Sequence, residues 1–235
     1  MNNNIKILLK VILVVVIILN LPFQKVYSEG IENVVASLTT QEVKQSNGKS
    51  IYIYNTHQGE KYANKSVKEG SRYLMEQLKQ RGYEVNYETN DFELYKAKNN
   101  IDYKYSYTVS KKYINNAVKE HGQYDLVIDF HRDSIKKSLS TITYENKSYA
   151  KLMFVVGKGS SNYKNVKKMS SELSNMLNEK IPKISRGIYV KQSHYNQDTT
   201  KNMVLIEVGA NENTYEEIQN SLNILTLVID EYLSQ

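Results

Sequence analysis

The chain contains no cysteine and no tryptophan, and only two of its 235 residues are proline. Without cysteine the chain forms no disulfide, offers no thiolate ligand to a metal and has no cysteine nucleophile. A bound metal ion would therefore be held by histidine and carboxylate side chains. Histidine is also scarce, and the candidates are His57, His121, His131 and His194.

Length and charge limit the class of protein further. A chain of 235 residues, of which 40% are hydrophobic, suffices for one well-packed domain and is too short for two large ones. The formal charge is +6, but three of the 31 basic residues lie in 1–28, which has no acidic residue, so 28 basic residues face 25 acidic ones beyond it. No basic stripe is interleaved with aromatic residues, and we therefore predict that the protein does not bind nucleic acid.

The first residues have the pattern of an export element. Lys6 and Lys10 precede an apolar run at 11–23, and 26–28 offers aliphatic and small residues for signal peptidase. The run is shorter than the roughly 20 residues of a comfortable membrane span. Residues 1–28 are therefore predicted to be a signal peptide or an N-terminal membrane anchor. Either alternative places the rest of the chain outside the cytoplasm.

The remainder alternates between strand and helix patterns after a polar tether predicted at 29–50. Strands are predicted at 51–54, 83–87, 124–130, 141–144, 151–156, 187–190 and 203–208, and helices at 66–81, 105–121, 163–180 and 214–233. Asn213 is the expected N-cap of the last helix. The alternation predicts a single α/β domain over 51–235, with a mostly parallel open sheet and helices on both faces.

Three chemically capable residues follow or end predicted strands. His57 comes three residues after the first strand, His131 directly follows the strand at 124–130, and Glu207 lies near the end of the strand at 203–208. The carboxyl ends of parallel strands meet at one edge of an open α/β sheet. We therefore expect these three side chains to lie together.

Residue types around the two histidines favour a zinc site. His57 and Glu60 are three residues apart in a turn, so that an imidazole and a carboxylate can face one cation. His131 would be the third ligand, and two imidazoles with one carboxylate suit a catalytic zinc that keeps a position for water. Asp129 or Asp133 is expected to accept the other ring proton of His131 and fix its tautomer.

Glu207 is the predicted general base and acid. It lies among Leu205, Ile206 and Val208, where an ionised carboxylate is costly to bury. Burial would raise its pKa towards the range that suits proton transfer. Taken singly, each of these residues also fits an ordinary polar loop or strand-edge position.

The remaining two histidines are weaker candidates. His121 precedes Gly122 at a predicted helix end, where an imidazole complements the helix dipole, and it is interpreted as structural. His194 lies in a loop near the predicted site, and its role stays open.

Several of these segments resemble, in order from about residue 50 to the end, the motifs of the stage II sporulation protein P family. The matching segments are Ile51–Glu60, Tyr105–Tyr107, Val127–Asp133, Leu152–Gly157, Tyr195–Asp198 and Leu205–Gly209. Each segment is short, but the whole series of matches, in the order of the family, makes the resemblance specific. Asn55 stands where the family often has an additional histidine, and Gly59 and Lys61 flank Glu60 where a serine often occurs.

The resemblance implies a function at the cell wall. The family is expected to hydrolyse peptidoglycan during engulfment in endospore formation, with a fold like that of zinc N-acetylmuramoyl-L-alanine amidases. It implies zinc-dependent cleavage of the amide between N-acetylmuramic acid and L-alanine, with stage II sporulation proteins D and M as partners at the septal membrane. The alternatives are an endopeptidase that cuts peptide cross-links from the same site and a wall-binding scaffold without catalysis.

The resemblance also assigns roles to residues. His57 and His131 match the metal-binding histidines, and Glu207 matches the catalytic carboxylate. Glu60 is expected to be the third metal ligand, with Glu69 as its rival. Three further motif positions are expected to shape the substrate groove, namely Arg132, Asn196 and Gln197.

Overall fold

A six-stranded sheet crosses the centre of the structure, a computed structural model that describes residues 46–235. Its strands are β1 Ser50–Tyr54, β2 Glu84–Tyr87, β3 Leu126–Asp133, β6 Leu152–Gly157, β7 Ser185–Lys191 and β8 Met203–Ala210, and the hairpin of β4 Thr141–Tyr144 and β5 Lys147–Ala150 forms a separate small sheet. The helices are α1 Val67–Gln80, α2 Phe92–Lys98, α3 Ser106–His121, α4 Lys137–Ser140, α5 Tyr163–Lys180 and α6 Tyr215–Leu233, with a 3₁₀ turn at Tyr103–Tyr105.

The strand order confirms the predicted mostly parallel sheet. The strands lie in the order β2-β1-β3-β8-β6-β7. The first four are parallel, β6 runs antiparallel to β8, and β7 is parallel to β6. The strand ends that bear His57, His131 and Glu207 thus belong to the three adjacent strands β1, β3 and β8.

Helices cover both faces of the sheet, as predicted. On one face, strand residues such as Ile128 and Phe130 pack with residues of α1, α5 and α6 in the larger core cluster. On the other, Val127 packs with Tyr52 and with residues of α2 and α3. Alternation along β3 places Asp129 and His131 on the same face as Val127. The candidate site therefore lies at the α2–α3 face of the sheet.

Close packing of α1 on β3 covers the face of the sheet opposite the site. A Cβ atom at Gly70 would lie 3.2 Å from the Phe130 ring, so glycine allows the helix to approach the strand. Ser66 begins α1 with a capping box in which its hydroxyl accepts from the Glu69 backbone and the Glu69 carboxylate accepts from the Ser66 backbone.

The predicted cap of the last helix is wrong by one residue. Thr214, rather than Asn213, is the N-cap of α6, and Thr214 forms a capping box with Glu217. Asn213 is instead buried in the preceding turn, where its side-chain oxygen accepts from the Ala210 backbone at 2.8 Å. Its amide nitrogen donates to Thr141 Oγ1 at 2.8 Å and to the Glu217 carboxylate at 3.0 Å.

The predicted export element and nearly all of the predicted tether lie outside the described residues. Among the helices within 46–235, none combines the length and the apolar character needed to cross a membrane.

Candidate active site

His57 lies in a tight turn directly after β1. The turn is closed by a hydrogen bond from the Glu60 backbone N–H to the His57 carbonyl at 3.1 Å, and the Glu60 carbonyl accepts from the first residue of α1, Val67, at 3.1 Å. The His57 ring stacks on Tyr103, with 4.8 Å between ring centroids. Its Nδ1 atom is buried and has no hydrogen-bond partner among the described residues.

His131 lies on β3 and is almost fully buried, with 3% of its surface exposed. Its ring centroid is 5.3 Å from that of His57, so the structure brings the two predicted metal ligands together. Nδ1 of His131 is 3.6 Å from Glu60 Oε2, and Nε2 is 2.8 Å from Asp129 Oδ1. The Nε2 contact is close but is not aligned as a hydrogen bond.

Of the two aspartates proposed as partners of His131, Asp129 occupies that position. Asp133 lies two residues further along β3, where its carboxylate contacts Arg186 and accepts from the Ser134 backbone at 2.6 Å. A register shift between His131 and Asp133 accompanies this change.

The structure also distinguishes between Glu60 and Glu69, the two carboxylates considered for the third metal ligand. Glu60 lies beside His131 and accepts a hydrogen bond from the Arg132 backbone at 3.2 Å. Glu69 uses its carboxylate in the capping box of α1 and in an ion pair with Lys65 at 2.7 Å. Glu60 is therefore the carboxylate that stands next to the imidazoles, and Glu69 holds the start of the helix.

Glu207 on β8 lies directly opposite His131 on β3 in the parallel register. Burial raises the pKa of Glu207 to about 7; the neighbouring carboxylates of Glu60 and Asp133 act in the same direction, while His131 opposes them. Oε2 of Glu207 is buried without a hydrogen-bond partner among the described residues. A carboxylate with this pKa can both take and return a proton near neutral pH.

The two histidines have opposite shifts. Burial lowers the pKa of His57, and the neighbouring His131 lowers it further, which favours the neutral ring that a metal requires. Burial also acts to lower the pKa of His131, but Asp129 and Glu60 outweigh it and raise the pKa in the metal-free protein. The site therefore holds a concentration of negative charge that a cation would balance.

A cleft of about 420 Å³ opens beside these groups. Its lining residues are His57, Gly59, Glu60, Glu93, Tyr103, Arg132 and Ser134. A larger cavity of about 880 Å³ lies along the outer strand β2 and contains none of the predicted site residues. The smaller cleft is the one lined by predicted site residues.

The donor set fits zinc in chemical type. Two imidazoles and a carboxylate are zinc ligands in proteins, and the buried His57 Nδ1 has no other partner in the part of the chain that the structure describes. Within residues 46–235, no three histidine or carboxylate side chains already surround a common metal position.

The three residues predicted to shape the groove have different positions. Arg132 lines the cleft, and its guanidinium donates to the Lys61 and Asp133 carbonyls, each at 3.1 Å. Asn196 is buried and its amide donates to the Tyr107 carbonyl at 2.8 Å. Gln197 is fully buried, and its amide bonds to the β6 backbone at Val155 and Gly157.

Asn196 and Gln197 are therefore not placed to touch substrate. Their amides bond to the protein interior, so these residues shape a groove only through the loop between β7 and β8 and the elements it joins. Arg132 alone of the three reaches the cleft.

The other two histidines stand apart from the cleft. His121 ends α3, stacks on Tyr124 with 4.3 Å between ring centroids, and contacts Glu84 at 3.2 Å. Its position agrees with the structural role predicted for it. His194 is exposed and packs over Gly159, where a Cβ atom would lie 3.1 Å from its Nε2 atom.

Two tyrosines that lie at the site have no role among the predicted site residues. Tyr103 stacks on His57 and lines the cleft, although 60% of its surface is exposed. Tyr107 approaches both histidines, with ring centroids 5.5 Å from His57 and 6.4 Å from His131. Tyr107 lies in a segment that matches the family, but in a chain with 20 tyrosines the residue type alone does not indicate a site role for either tyrosine.

The chain has an α/β fold similar to that of a solved amidase. The CwlD amidase from Clostridioides difficile, solved in complex with the GerS lipoprotein, superimposes with a TM-score of 0.56 and 18% identity, over 80% of this chain and 99% of that one. An N-acetylmuramoyl-L-alanine amidase from Clostridium difficile 630 gives a TM-score of 0.48 at 13% identity, over 81% of this chain and 99% of that one.

Sequence comparison identifies the family. The family "Stage II sporulation protein P (SpoIIP)" matches residues 24–230, and the chain belongs to this family. Stage II sporulation protein P of Bacillus subtilis (strain 168) is 29% identical over 242 aligned residues, which cover 89% of this chain and 60% of that protein. The chain thus spans about three fifths of the length of this relative.

Proposed function

We propose that the protein is a zinc-dependent peptidoglycan hydrolase that cleaves the amide between N-acetylmuramic acid and L-alanine during sporulation. The observation that carries the proposal is the buried Glu207 carboxylate, which lies in register with His131 beside Glu60. Membership of the stage II sporulation protein P family and the amidase fold support the substrate class.

His57, Glu60 and His131 would hold the zinc ion. When bound, zinc polarises water and the scissile carbonyl, which lowers the barrier to attack on the amide. Negative charge from Glu60 and Asp129 next to His131 suits a divalent cation at this position.

Glu207 would move the proton. Its pKa of about 7 allows the ionised form to take a proton from the attacking water at neutral pH. The same carboxyl group then gives this proton to the nitrogen of the leaving L-alanine, so that the amide bond breaks and a free amine forms. Arg132 and Tyr103, which line the cleft, would orient the substrate.

The proposal is tested with purified peptidoglycan and the full-length protein. Turbidity is followed with the protein as isolated, after chelation, and after zinc is restored. Clearing that chelation stops and zinc restores is expected, whereas Glu207→Gln should bind zinc and fold but fail to clear. Clearing by Glu207→Gln at the unaltered rate would refute the assigned role of this residue.

The bond specificity is tested separately. Mass spectrometry of the digested wall is expected to show glycan strands freed from stem peptides that begin with L-alanine. New termini within cross-links would favour the endopeptidase alternative. Sedimentation with the wall without any soluble product would favour a binding scaffold.

Place of action and partners complete the proposal. The predicted export element would place the domain outside the cytoplasm and close to the septal membrane. Stage II sporulation proteins D and M are the partners that the family resemblance implies.

A further inference from the structure

Thr56 donates two hydrogen bonds to the Asp129 carboxylate, which contacts His131. Asp129 is fully buried, and its Oδ1 atom accepts from the Thr56 backbone N–H at 3.0 Å. Its Oδ2 atom accepts from the Thr56 hydroxyl at 2.8 Å. Because Thr56 immediately precedes His57, this pair ties the β1 turn to β3 behind both histidines.

The network continues away from the site through two further buried side chains. Oγ1 of Thr56 is 2.9 Å from Oγ of Ser110 on α3. Ser110 in turn accepts from the Asn196 amide at 3.0 Å, and the same amide donates to the Tyr107 carbonyl at 2.8 Å. Thr56 and Ser110 are fully buried and Asn196 nearly so.

Hydrogen bonds join these buried side chains without a gap. The Thr56 hydroxyl lies 2.8 Å from Asp129 Oδ2 and 2.9 Å from Ser110 Oγ, so it can donate to either. Ser110 Oγ accepts from the Asn196 amide, and its hydroxyl donates to the Tyr107 carbonyl at 3.3 Å. A buried polar network that is connected in this way makes the groups it joins rigid.

Two residues at the start of the network have a left-handed backbone conformation. Tyr195 and Asn196 have φ values of 50° and 56°, in the left-handed region that few residues other than glycine adopt. Asparagine tolerates this region better than most residues. The loop thus holds an unfavourable conformation at the point where the Asn196 side chain enters the protein interior.

We propose that Asn196, Ser110 and Thr56 form a relay of positioning residues that fixes Asp129, and through it the orientation of the His131 ring. The inference rests on the proposed function insofar as His131 is a metal ligand. It gives the loop between β7 and β8 a role in preparing the metal site, in place of the substrate contact predicted for Asn196.

Three variants of the full-length protein test the relay. Thr56→Val removes the hydroxyl at nearly constant shape, and Asn196→Gly removes the amide while keeping a residue that accepts a positive φ. Ser174→Ala is the matched control, because it deletes a buried hydroxyl pair with Ser185 at 2.8 Å that lies between α5 and β7.

The first readout needs no metal. Long-range ¹H–¹⁵N spectra of the zinc-free protein resolve the tautomer and environment of each of the four histidine rings. Thr56→Val and Asn196→Gly are expected to shift the His131 ring signals while Ser174→Ala leaves them unchanged. Unchanged His131 signals in both relay variants would overturn the proposal.

The second readout is zinc affinity, measured by competition with a chromogenic chelator. Residues that orient a metal-bound histidine typically affect affinity by tenfold or more. Thr56→Val is therefore expected to weaken binding about tenfold, Asn196→Gly less, and the double variant by less than the product of the two, because both act through one chain.

The two readouts separate this inference from the proposed function. If the unaltered protein bound no zinc, the metallohydrolase assignment would fail, and the His131 spectra would still decide the relay. If zinc bound with unchanged affinity to both relay variants, the network would be merely structural and the inference would be wrong.

Discussion

At the scale of single residues, Glu207 illustrates how a proposed catalytic group would reduce the stability of the fold. The unfolded chain has a glutamate pKa of about 4.3, and burial raises the pKa of folded Glu207 to about 7. The folded protein therefore binds more protons between these values. Stability linked to this group falls as the pH rises from about 4 to about 7, and it stays low above that range.

Glu207→Gln removes the charge and should stabilise the zinc-free protein at high pH. We expect its free energy of unfolding to rise by about 3 to 4 kcal/mol at pH 8 and by only about 1 kcal/mol at pH 5. Urea unfolding of chelated protein at both values measures this, with the exposed Glu212→Gln as control. Equal unfolding energies for Glu207→Gln and the unaltered protein at pH 8 would contradict the buried charge.

Tyr103 is a second residue whose role the geometry predicts. Its ring stacks on His57 and lines the cleft, yet most of it is exposed, so its removal should affect activity more than stability. Tyr103→Ala is expected to slow wall clearing about tenfold, because His57 and the substrate lose a positioning surface. Tyr103→Phe keeps the ring and should clear the wall within about twofold of the unaltered rate. Equal rates for Tyr103→Ala and Tyr103→Phe would exclude a role for the ring.

At the scale of elements, the end of β8 packs closely against the turn that leads into α6. Gly209 has a φ of +64°, and a Cβ atom there would lie 2.7 Å from Ile218 Cδ1 and 2.9 Å from the Asn213 side-chain oxygen. Gly209→Ala should therefore lower the free energy of unfolding by more than about 2 kcal/mol.

The matched control for this prediction is Gly59→Ala. A Cβ atom at Gly59 meets no atom within 4 Å, and its φ lies outside the left-handed region. Its free energy of unfolding should stay within about 1 kcal/mol of the unaltered value. Chemical denaturation of both variants compares them directly, and similar losses would show that the steric argument is wrong.

Elements with strong periodicity could be predicted from the sequence, and weak ones could not. Helix α5 has the predicted bounds of 163–180, because its apolar face repeats over several turns. Strand β5 was not predicted: it has four residues and follows Glu145 and Asn146, which form a left-handed turn without glycine. The polar helix α2 also gave no apolar pattern and depends on its Asp91 cap.

The place of the candidate site could be predicted from the sequence, but the contacts of some of its residues could not. Strand ends placed His57, His131 and Glu207 together, because parallel topology brings such ends to one edge. The buried amides of Asn196 and Gln197 could not be distinguished from groove residues, since a sequence does not show which distant backbone groups an amide will bond.

At the scale of the whole molecule, the strand order explains why metal binding at the proposed site would be coupled to folding. His57 follows β1, His131 lies in β3 and Glu207 in β8, and these strands are neighbours in the sheet although they are far apart in the chain. The proposed ligands on β1 and β3 come together only in the folded protein. A metal held by them would therefore stabilise the whole fold by mass action.

This linkage yields a prediction for the intact protein. Zinc at 100 times its dissociation constant should stabilise the folded state by about 2.7 kcal/mol, and chelation should remove this gain. Thermal unfolding of the full-length protein across a zinc series measures the effect as a rising Tm. Magnesium should not reproduce it, because it disfavours imidazole ligands, and His57→Ala should lose most of it while its metal-free Tm stays close to that of the unaltered protein. A Tm that rose equally in His57→Ala would mean that zinc binds elsewhere, and the ligand assignment would then be wrong.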